Sequence, residues 1–452
     1  MADITSGRAR RMLSVGRLTT EVGGSYLWQA LKRPFQSASR TERTLLATHI
    51  RNAERIVARS KELRGAFMKL TQLLSMRTDL FPREALEVLS VVQSSVPPMP
   101  YAKVRQVLTE ELGAPPEETF GRFEREAFAA ASLGQVHRAE TRAGEPVAVK
   151  VQYPGIAETV RQDVKNLNAL LGILSAIARD VMHGDVDREE IAAELEARLH
   201  EELDYRHEAA NLDRFRRLLA DDPEVMIPRL HRGLSTQRVL TMEYLDGYSI
   251  QDIMAPGVDQ ELKDWVAVKL FRLLWRQVLE FGALHTDPHP GNYLVTHHPR
   301  LGILDFGSVR VFEPPVRRAY LRLAAALLAH DDGEIAAALA ALGFVAPADD
   351  PAPLVEMIHI VCEPLERDGA FDPRAYDVMG RGQQVAEIAF AHRIFRAPAH
   401  QVFLLRALLG ADAYLKTFGT VRNWHRLFRA IVAAVPDHPP FTPSTRRARG
   451  RA

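Results

Sequence analysis

Three oxygen-bearing side chains lie on two short segments whose spacing is typical of an enzyme that handles nucleotides. Asp287 and Asn292 lie five residues apart in a segment rich in proline and glycine. Asp305 follows the apolar run of residues 301–304, which predicts a buried strand, and begins an Asp-Phe-Gly tripeptide. Magnesium bound to a nucleotide prefers such oxygen ligands. The H-x-D-x4-N spacing followed by D-F-G therefore predicts phosphoryl transfer, with one Asp orienting the attacking hydroxyl and the other two side chains binding magnesium.

Two other interpretations of these segments stay open at the level of sequence. Asp287 and Asn292 could cap turns beside the neighbouring prolines, with no role in chemistry. His285, Asp287 and His289 could instead form a zinc-type site, although such a site needs a full set of dedicated ligands.

Composition is that of an ordinary globular protein. The 452 residues are enough for two to three domains, or for one bilobal domain with helical additions. Hydrophobic residues make up 46% and charged residues 25%, and the net charge of +1 gives no reason to expect nucleic-acid binding. Cys362 is the single cysteine, which favours a reducing compartment. No apolar run reaches the ~18 residues that span a bilayer, and no signal peptide is evident, so we expect a cytoplasmic protein.

The pattern along the chain predicts four segments. Residues 1–100 form a basic helical extension, 101–245 an N-lobe, 246–435 a helical C-lobe, and 436–452 a basic disordered tail. In residues 1–40, basic side chains interleave with aromatic ones such as Trp28. A helix of this kind could lie on an anionic membrane surface or simply dock on the rest of the protein.

A lysine stands inside an apolar strand pattern in the predicted N-lobe. Lys150 lies in Val-Ala-Val-Lys-Val, and burying its charge without a partner would cost about 3–5 kcal/mol. The pattern therefore predicts a carboxylate opposite Lys150 and a phosphate as its ligand. The alternative is an edge-strand lysine that points into water. Candidate carboxylates lie in the acidic segment of residues 200–211.

A second apolar strand, residues 237–245, would be the hinge of a bilobal kinase. The backbone of such a hinge meets the edge of the adenine ring. We therefore place Glu243 and Leu245 among the predicted nucleotide-binding residues.

Four motifs together resemble the UbiB/ADCK family of atypical, protein-kinase-like proteins, most strongly over residues 60–330. Lys69-Leu-Thr-Gln72 resembles the family's KxGQ motif, and Ala129-Ala-Ala-Ser-Leu-Gly-Gln-Val-His137 resembles its alanine-rich loop. Glu202-Leu-Asp204 resembles the ExD motif, and the segments with Asp287, Asn292 and Asp305 resemble the catalytic and metal loops. The resemblance implies an α+β, bilobal protein-kinase-like fold with an N-terminal helical extension and additional C-terminal helices.

The resemblance also implies a role for each matched residue. Asp287 would be the catalytic aspartate, Asn292 and Asp305 would bind magnesium, and Lys150 would hold the phosphates of ATP and pair with Glu208. The resemblance further assigns nucleotide binding to Ala130, Ala131 and Ser132, and regulation by the extension to Lys69, Gln72, Glu202 and Asp204, with Lys69 paired to Glu202 or Asp204.

The biological context implied by the family is lipid metabolism at membranes. The resemblance implies an ATPase or small-molecule kinase that supports coenzyme Q or other isoprenoid lipid metabolism. Its partners would be anionic or isoprenoid lipid and the enzymes of lipid or quinone biosynthesis, with peripheral attachment to a membrane. A nucleotide-binding pseudokinase scaffold and a small-molecule phosphotransferase of the antibiotic or choline type are the alternatives.

Two positions depart from kinase patterns. Thr71 replaces the glycine of KxGQ, which leaves the helix intact but would loosen a lid that needs close backbone approach. Thr286 stands where many protein kinases have the arginine of H-R-D, so an activation-loop phosphate would lack its usual partner. The second departure argues against a phosphorylation-regulated kinase that acts on peptides.

Replacing Ala130 or Ala131 by glycine should increase phosphoryl transfer. Glycine permits positive φ and close approach to phosphate, whereas alanine largely forbids positive φ. Autophosphorylation and ATP turnover measure the effect, and unchanged rates in both variants would contradict the prediction.

Overall fold

The structure is a computed structural model, and it describes most of the chain from residue 98 to residue 436. The described residues are 98–131, 133–158, 160, 201–345, 350–392, 394 and 398–436, together with residues 17, 20–22, 24, 25, 28, 44, 47, 48, 51, 52, 54, 55 and 58, which are helical. The predicted KxGQ-like motif lies outside them, and so does the predicted C-terminal tail of residues 436–452 except for its first residue.

The chain divides into two compact units. One consists of Met1–Asp213 and Pro228–Tyr244, and the other of Arg214–Ile227 and Leu245–Ala452. The second unit begins one residue earlier than the expected C-lobe, and it also takes residues 214–227, which the sequence placed in the N-lobe. That segment joins the second unit because one of its strands, β5 (Val225–Met226), pairs in parallel with a strand of that unit.

The first unit is built on a five-stranded antiparallel sheet. Its strands run in the order β1-β3-β4-β6, with β2 on the same side of β3 as β1. They are β1 (Arg122–Phe123), β2 (Ala129–Ala131), β3 (Gly134–Glu140), β4 (Pro146–Gln152) and β6 (Val239–Glu243). Strand β4 lies between β3 and β6, so it is an interior strand with paired backbone groups on both sides.

One face of this sheet is covered by a helix that the sequence did not reveal. Helix α1 (Tyr101–Leu112) begins after Pro100 and ends at Gly113, whose φ of 80° favours glycine. Its Leu108 packs with Val149 and the other fully buried valines of β4. Because side chains alternate across a strand, Lys150 points to the opposite face. A short helix, α2 (Pro116–Thr119), follows α1.

Helix α3 (Tyr205–Leu218) begins within the acidic segment of residues 200–211. The boundary between the two units falls within this helix. The second unit then contains two small sheets. A four-stranded sheet has the order β5-β10-β9-β7, and a two-stranded sheet pairs β11 with β8. The remaining strands are β7 (Gly247–Ser249), β8 (Ala283–His285), β9 (Tyr293–Thr296), β10 (Leu301–Ile303) and β11 (Val309–Val311). The strand predicted over residues 301–304 is confirmed, and all three residues of β10 are buried.

Helices make up the rest of the second unit. They are α4 (Ile250–Met254), α5 (Gln260–Trp275), α6 (Pro314–Ala329), α7 (Asp332–Ala341), α8 (Ala352–Glu366), α9 (Val378–Ala391), α10 (Ala399–Phe418) and α11 (Trp424–Ala434). Aromatic rings join α5 to α11, with the Phe271 and Trp424 centroids 4.9 Å apart and those of Trp275 and Phe428 4.7 Å apart. None of the helices in the described part of the chain is both long and apolar enough to cross a membrane.

Helix α5 continues into a π-helical turn, Arg276–Phe281, just before the catalytic segment. The turn ends at Gly282, whose φ of 60° lies in the left-handed region. Such turns often mark functional sites, because the extra residue re-aims the side chains that follow. Here the buried Gln277 accepts a hydrogen bond at 2.6 Å from the backbone N–H of His285, which fixes the end of β8.

Truncating the Leu108 side chain, which helix α1 packs against the sheet, should destabilise the first unit. Leu108 is fully buried between α1 and the sheet, so Leu108→Ala should lower the free energy of unfolding by about 2–5 kcal/mol. Urea denaturation measures the loss. Lys103→Ala on the exposed face of α1 is the control, and a loss below about 1 kcal/mol for Leu108→Ala would contradict the packing described.

Candidate functional site

The sheet of the first unit holds a buried ion pair. The Lys150 ammonium donates to both carboxylate oxygens of Glu208 at 2.8 and 2.9 Å. Lys150 is 6% exposed and Glu208 is 4% exposed, and the Lys150 nitrogen lies 5.1 Å from the centre of the Tyr205 ring. The edge-strand alternative for Lys150 is wrong, because β4 is paired on both sides.

The other acidic residues of the ExD-like motif have different surroundings. Asp204 accepts hydrogen bonds from Arg206, including one of 2.7 Å from its guanidinium, and this contact lowers the pKa of Asp204. Glu202 lies in a helical stretch just before it. The partner predicted for one of these carboxylates, Lys69, and its neighbour Gln72 lie outside the described residues, so this pairing stays a prediction.

The alanine-rich segment is mostly strand rather than loop. Ala130 and Ala131 belong to β2 and pair with Gln135 and Gly134 of β3. The expected loop is therefore confined to the short turn between the strands, of which Ser132 lies outside the described residues.

The close approach of strands β3 and β4 requires a glycine at position 134. A Cβ placed there would lie 2.2 Å from the carbonyl oxygen of Val151. Its φ is not positive, so this position does not use the freedom of glycine to adopt the left-handed region. The glycine instead lets β3 and β4 pack together beside Lys150.

The hinge residues stand at the end of β6 and just beyond it. Glu243 closes the strand, and its carboxylate accepts a hydrogen bond of 3.1 Å from the backbone N–H of Arg229. Leu245 is the first residue of this stretch in the second unit and is 7% exposed. Their contact with a nucleotide stays a prediction.

The catalytic segment of the second unit links Asp287 to Asn292. The Asn292 amide nitrogen donates to the Asp287 carboxylate at 3.0 Å and to its backbone carbonyl at 3.1 Å. Both bonds use the nitrogen, which turns the amide oxygen away from Asp287. Asn292 ends a 3-10 turn that begins at Pro290 and leads directly into β9.

Backbone hydrogen bonds bring Asp305 to the same segment. The N–H of Leu304 donates to the carbonyl of Asn292 at 2.9 Å, and His285 bonds through its Nε2 to the Asp305 carbonyl at 2.6 Å. The Asp305 carboxylate accepts from the N–H of Gly307 at 2.9 Å. Phe306 is fully buried and packs 5.3 Å from the Phe215 ring. Asp287, Asn292 and Asp305 are therefore held on directly bonded segments.

The chemistry of these donors fits magnesium better than zinc. Two carboxylates and one amide are hard oxygen donors, as magnesium requires. His285 bonds to the Asp305 carbonyl, and His289 Nδ1 accepts from the N–H of Gly291 at 3.0 Å. Within the described ranges, no group of three or more His, Cys, Asp or Glu residues could hold a metal. These oxygen donors, with nucleotide phosphates to complete a coordination shell, therefore favour magnesium over the zinc-type alternative.

Sequence reasoning missed the arginine that contacts Asp287. Arg406, on helix α10, donates to the Asp287 carboxylate at 2.6 Å. The two residues are 119 positions apart. Helix α10 also contains Asp412 and Lys416, so no local pattern in the sequence distinguished Arg406 as a contact of Asp287.

Comparisons with known proteins agree with this arrangement. Residues 91–339 match the ABC1 atypical kinase-like domain. The chain is 32% identical over 415 residues to "Atypical kinase COQ8B, mitochondrial" of Rattus norvegicus, which covers 90% of this chain and 77% of the relative. It is 28% identical over 439 residues to "Atypical kinase COQ8, mitochondrial" of Saccharomyces cerevisiae, covering 96% and 86%.

A plant relative and a solved structure extend the comparison. The chain is 33% identical over 370 residues to the chloroplastic "Protein ACTIVITY OF BC1 COMPLEX KINASE 1" of Arabidopsis thaliana, covering 79% of this chain and 53% of that longer protein. A structure of Rv3197 from Mycobacterium tuberculosis in complex with erythromycin has a TM-score of 0.59 and 28% identity, covering 84% of this chain and 94% of that one. The predicted α+β kinase-like fold and the family resemblance are confirmed.

Removing one member of the buried ion pair should cost more than removing both. Glu208→Gln leaves the Lys150 charge buried without a counter-charge, so the free energy of unfolding should fall by about 3–5 kcal/mol. The double variant Lys150→Met/Glu208→Leu should recover much of that loss, because neither charge remains to be buried.

Chemical denaturation of the single and double variants measures these changes. Arg206→Gln is the control, because the Arg206 side chain is 66% exposed and its ion pair with Asp204 should contribute about 1 kcal/mol or less. Equal losses for the single and double variants would contradict a pair whose stability depends on mutual charge compensation.

Proposed function

This chain belongs to the ABC1 atypical kinase-like family, the UbiB/ADCK group, and we propose that it transfers phosphoryl groups from ATP in a magnesium-dependent reaction. The observation that carries the proposal is the bonded arrangement of Asp287, Asn292 and the Asp305 segment. Oxygen donors held in this way suit a magnesium–nucleotide complex, and the names of the relatives as atypical kinases support the same reaction.

Each proposed role follows from the chemistry of its side chain. Lys150 binds the phosphates of ATP, and Glu208 orients its ammonium. Asp287 orients the attacking hydroxyl or water, and Asn292 and Asp305 hold magnesium. The metal, when bound, neutralises charge that develops on the phosphate oxygens. Ala130, Ala131, Ser132, Glu243 and Leu245 complete the nucleotide-binding set.

The proposed context is coenzyme Q or other isoprenoid lipid metabolism at a membrane surface. The UbiB/ADCK family implies it, and the names of two relatives describe those proteins as mitochondrial and chloroplastic. The basic, aromatic-containing residues 1–40 would supply peripheral attachment to anionic lipid. The extension with Lys69 and Gln72, acting on Glu202 and Asp204, would regulate turnover.

Purified full-length protein should hydrolyse or transfer the γ-phosphate of ATP only when magnesium is present. Asp305→Asn should lower turnover by about 100-fold or more, the scale expected when a group that stabilises developing charge is lost. Asp221→Asn is the control, because it makes the same charge change on a side chain that is 69% exposed. Turnover should rise with vesicles containing phosphatidylglycerol and not with neutral phosphatidylcholine vesicles.

Two results would contradict the proposal. Binding of magnesium–ATP without turnover under any of these conditions would favour a pseudokinase scaffold. Turnover that is equal in wild type and Asp305→Asn would place the chemistry elsewhere.

A further inference from the structure

One face of helix α10 contacts the catalytic segment at three successive turns. Arg406, Gly410 and Tyr414 are spaced four residues apart, so they lie on the same side of the helix. Each of them touches Asp287 or Pro288, which is the next residue. We call this row of three residues the α10 clamp. Contacts this regular along a single face place the helix directly against the residue proposed to orient the acceptor.

Arg406 and Asn292 divide the two carboxylate oxygens of Asp287 between them. The Arg406 guanidinium donates to Oδ1 at 2.6 Å, and the Asn292 amide donates to Oδ2 at 3.0 Å. A carboxylate that accepts a bond on each oxygen has its rotation about the Cβ–Cγ bond fixed. The two side chains of the ion pair are 27% and 28% exposed, so the guanidinium lies at the rim of the site rather than in the core.

Gly410 allows the helix to approach the catalytic segment closely. A Cβ at this position would lie 2.3 and 2.4 Å from the ring carbons of Pro288, a separation that real side chains do not show. Glycine weakens a helix interior, since it gains no side-chain packing and loses the most backbone freedom. The glycine is explained here by the Pro288 ring that occupies its place.

Tyr414 completes the clamp through its hydroxyl. The hydroxyl donates to the backbone carbonyl of Pro288, and the Tyr414 ring packs edge-on against Tyr293 with centroids 6.3 Å apart. Tyr414 is 4% exposed. Its contacts join the start of the catalytic segment to the start of β9, so the helix supports both sides of the turn that ends at Asn292.

We propose that the α10 clamp holds the catalytic segment in its working position, and that Arg406 is a positioning residue that orients the Asp287 carboxylate toward the phosphoryl acceptor. This inference rests on the proposed role of Asp287. Arg406 acts through Asp287 and needs no contact of its own with ATP. Loss of Arg406 should therefore affect kcat and leave nucleotide binding nearly unchanged.

Steady-state kinetics on the full-length protein test the role of Arg406. Arg406→Met should lower kcat by about 10- to 100-fold while the KM for ATP changes by less than about threefold. Arg406→Lys should recover part of the rate, because an ammonium still supplies a charge and a donor. In an Asp287→Asn background, Arg406→Met should cause no further loss, since both substitutions remove the same oriented carboxylate.

Two further variants distinguish loss of the clamp contacts from a general destabilisation of helix α10. Gly410→Ala should displace Pro288 and lower kcat by about 100-fold, as expected for a shift of about 1 Å. Lys416→Met is the matched control, because Lys416 lies on the same helix and pairs with Asp412 rather than with the catalytic segment. Its kcat should equal that of wild type.

Hydrogen–deuterium exchange of residues 283–292 tests the clamp without relying on turnover. Exchange should be faster in Arg406→Met and Gly410→Ala than in wild type, and unchanged in Lys416→Met. If exchange is unaltered in both clamp variants, or if Arg406→Met retains kcat within about twofold of wild type, the proposal is overturned. Faster exchange in the clamp variants of a protein that shows no turnover even as wild type would support the clamp and count against the proposed function.

Discussion

The Lys150 ammonium stays buried in strand β4 because helix α3 brings the Glu208 carboxylate within 2.8 Å of it. An ion pair of this kind contributes little net stability, since both charges lose their hydration on burial. The pair instead fixes the orientation of the Lys150 ammonium. Two hydrogen bonds to Glu208 hold the Lys150 ammonium in place at one face of the sheet, and the close approach at Gly134 keeps the neighbouring strand near it.

In the second unit, the candidate functional side chains are held in place in a different way. The roles proposed for Asp287, Asn292 and Asp305 require accurately held side chains, and their segments contain little regular structure. The backbone bond from Leu304 to Asn292 and the imidazole of His285 connect the two segments directly. Gln277, in the π-helical turn, and Arg406, in helix α10, then hold the catalytic segment from two different helices.

Local patterns in the sequence were enough to predict the groups that could do chemistry and the strands beside them. An apolar strand with one lysine, and an Asp-Phe-Gly after a second apolar run, each carry their own signal. The sequence predicted a carboxylate opposite Lys150, and only the resemblance to a family singled out Glu208. Helix α1 was missed, although its buried residues Val104, Val107 and Leu108 stand at helical spacing in the sequence.

The contact of Arg406 with Asp287 could not be predicted in the same way. It joins positions 119 residues apart, and no local pattern specifies which helix of a helical unit packs against a given turn. The assignment of residues 214–227 to the second compact unit depends on a similar long-range contact. Residues 214–227 join the second unit through the parallel pairing of β5 with β10, a long-range contact that the sequence does not encode locally.

Chemical labelling with an ATP acyl phosphate tests most directly whether Lys150 binds nucleotide phosphates. Such a reagent transfers its acyl group to a lysine that lies beside the bound phosphates, and peptide mapping identifies the site. The proposed function predicts that Lys150 is acylated and that excess ATP with magnesium protects it. Acylation confined to other lysines, such as Lys103 or Lys263, or acylation of Lys150 that ATP does not prevent, would contradict it.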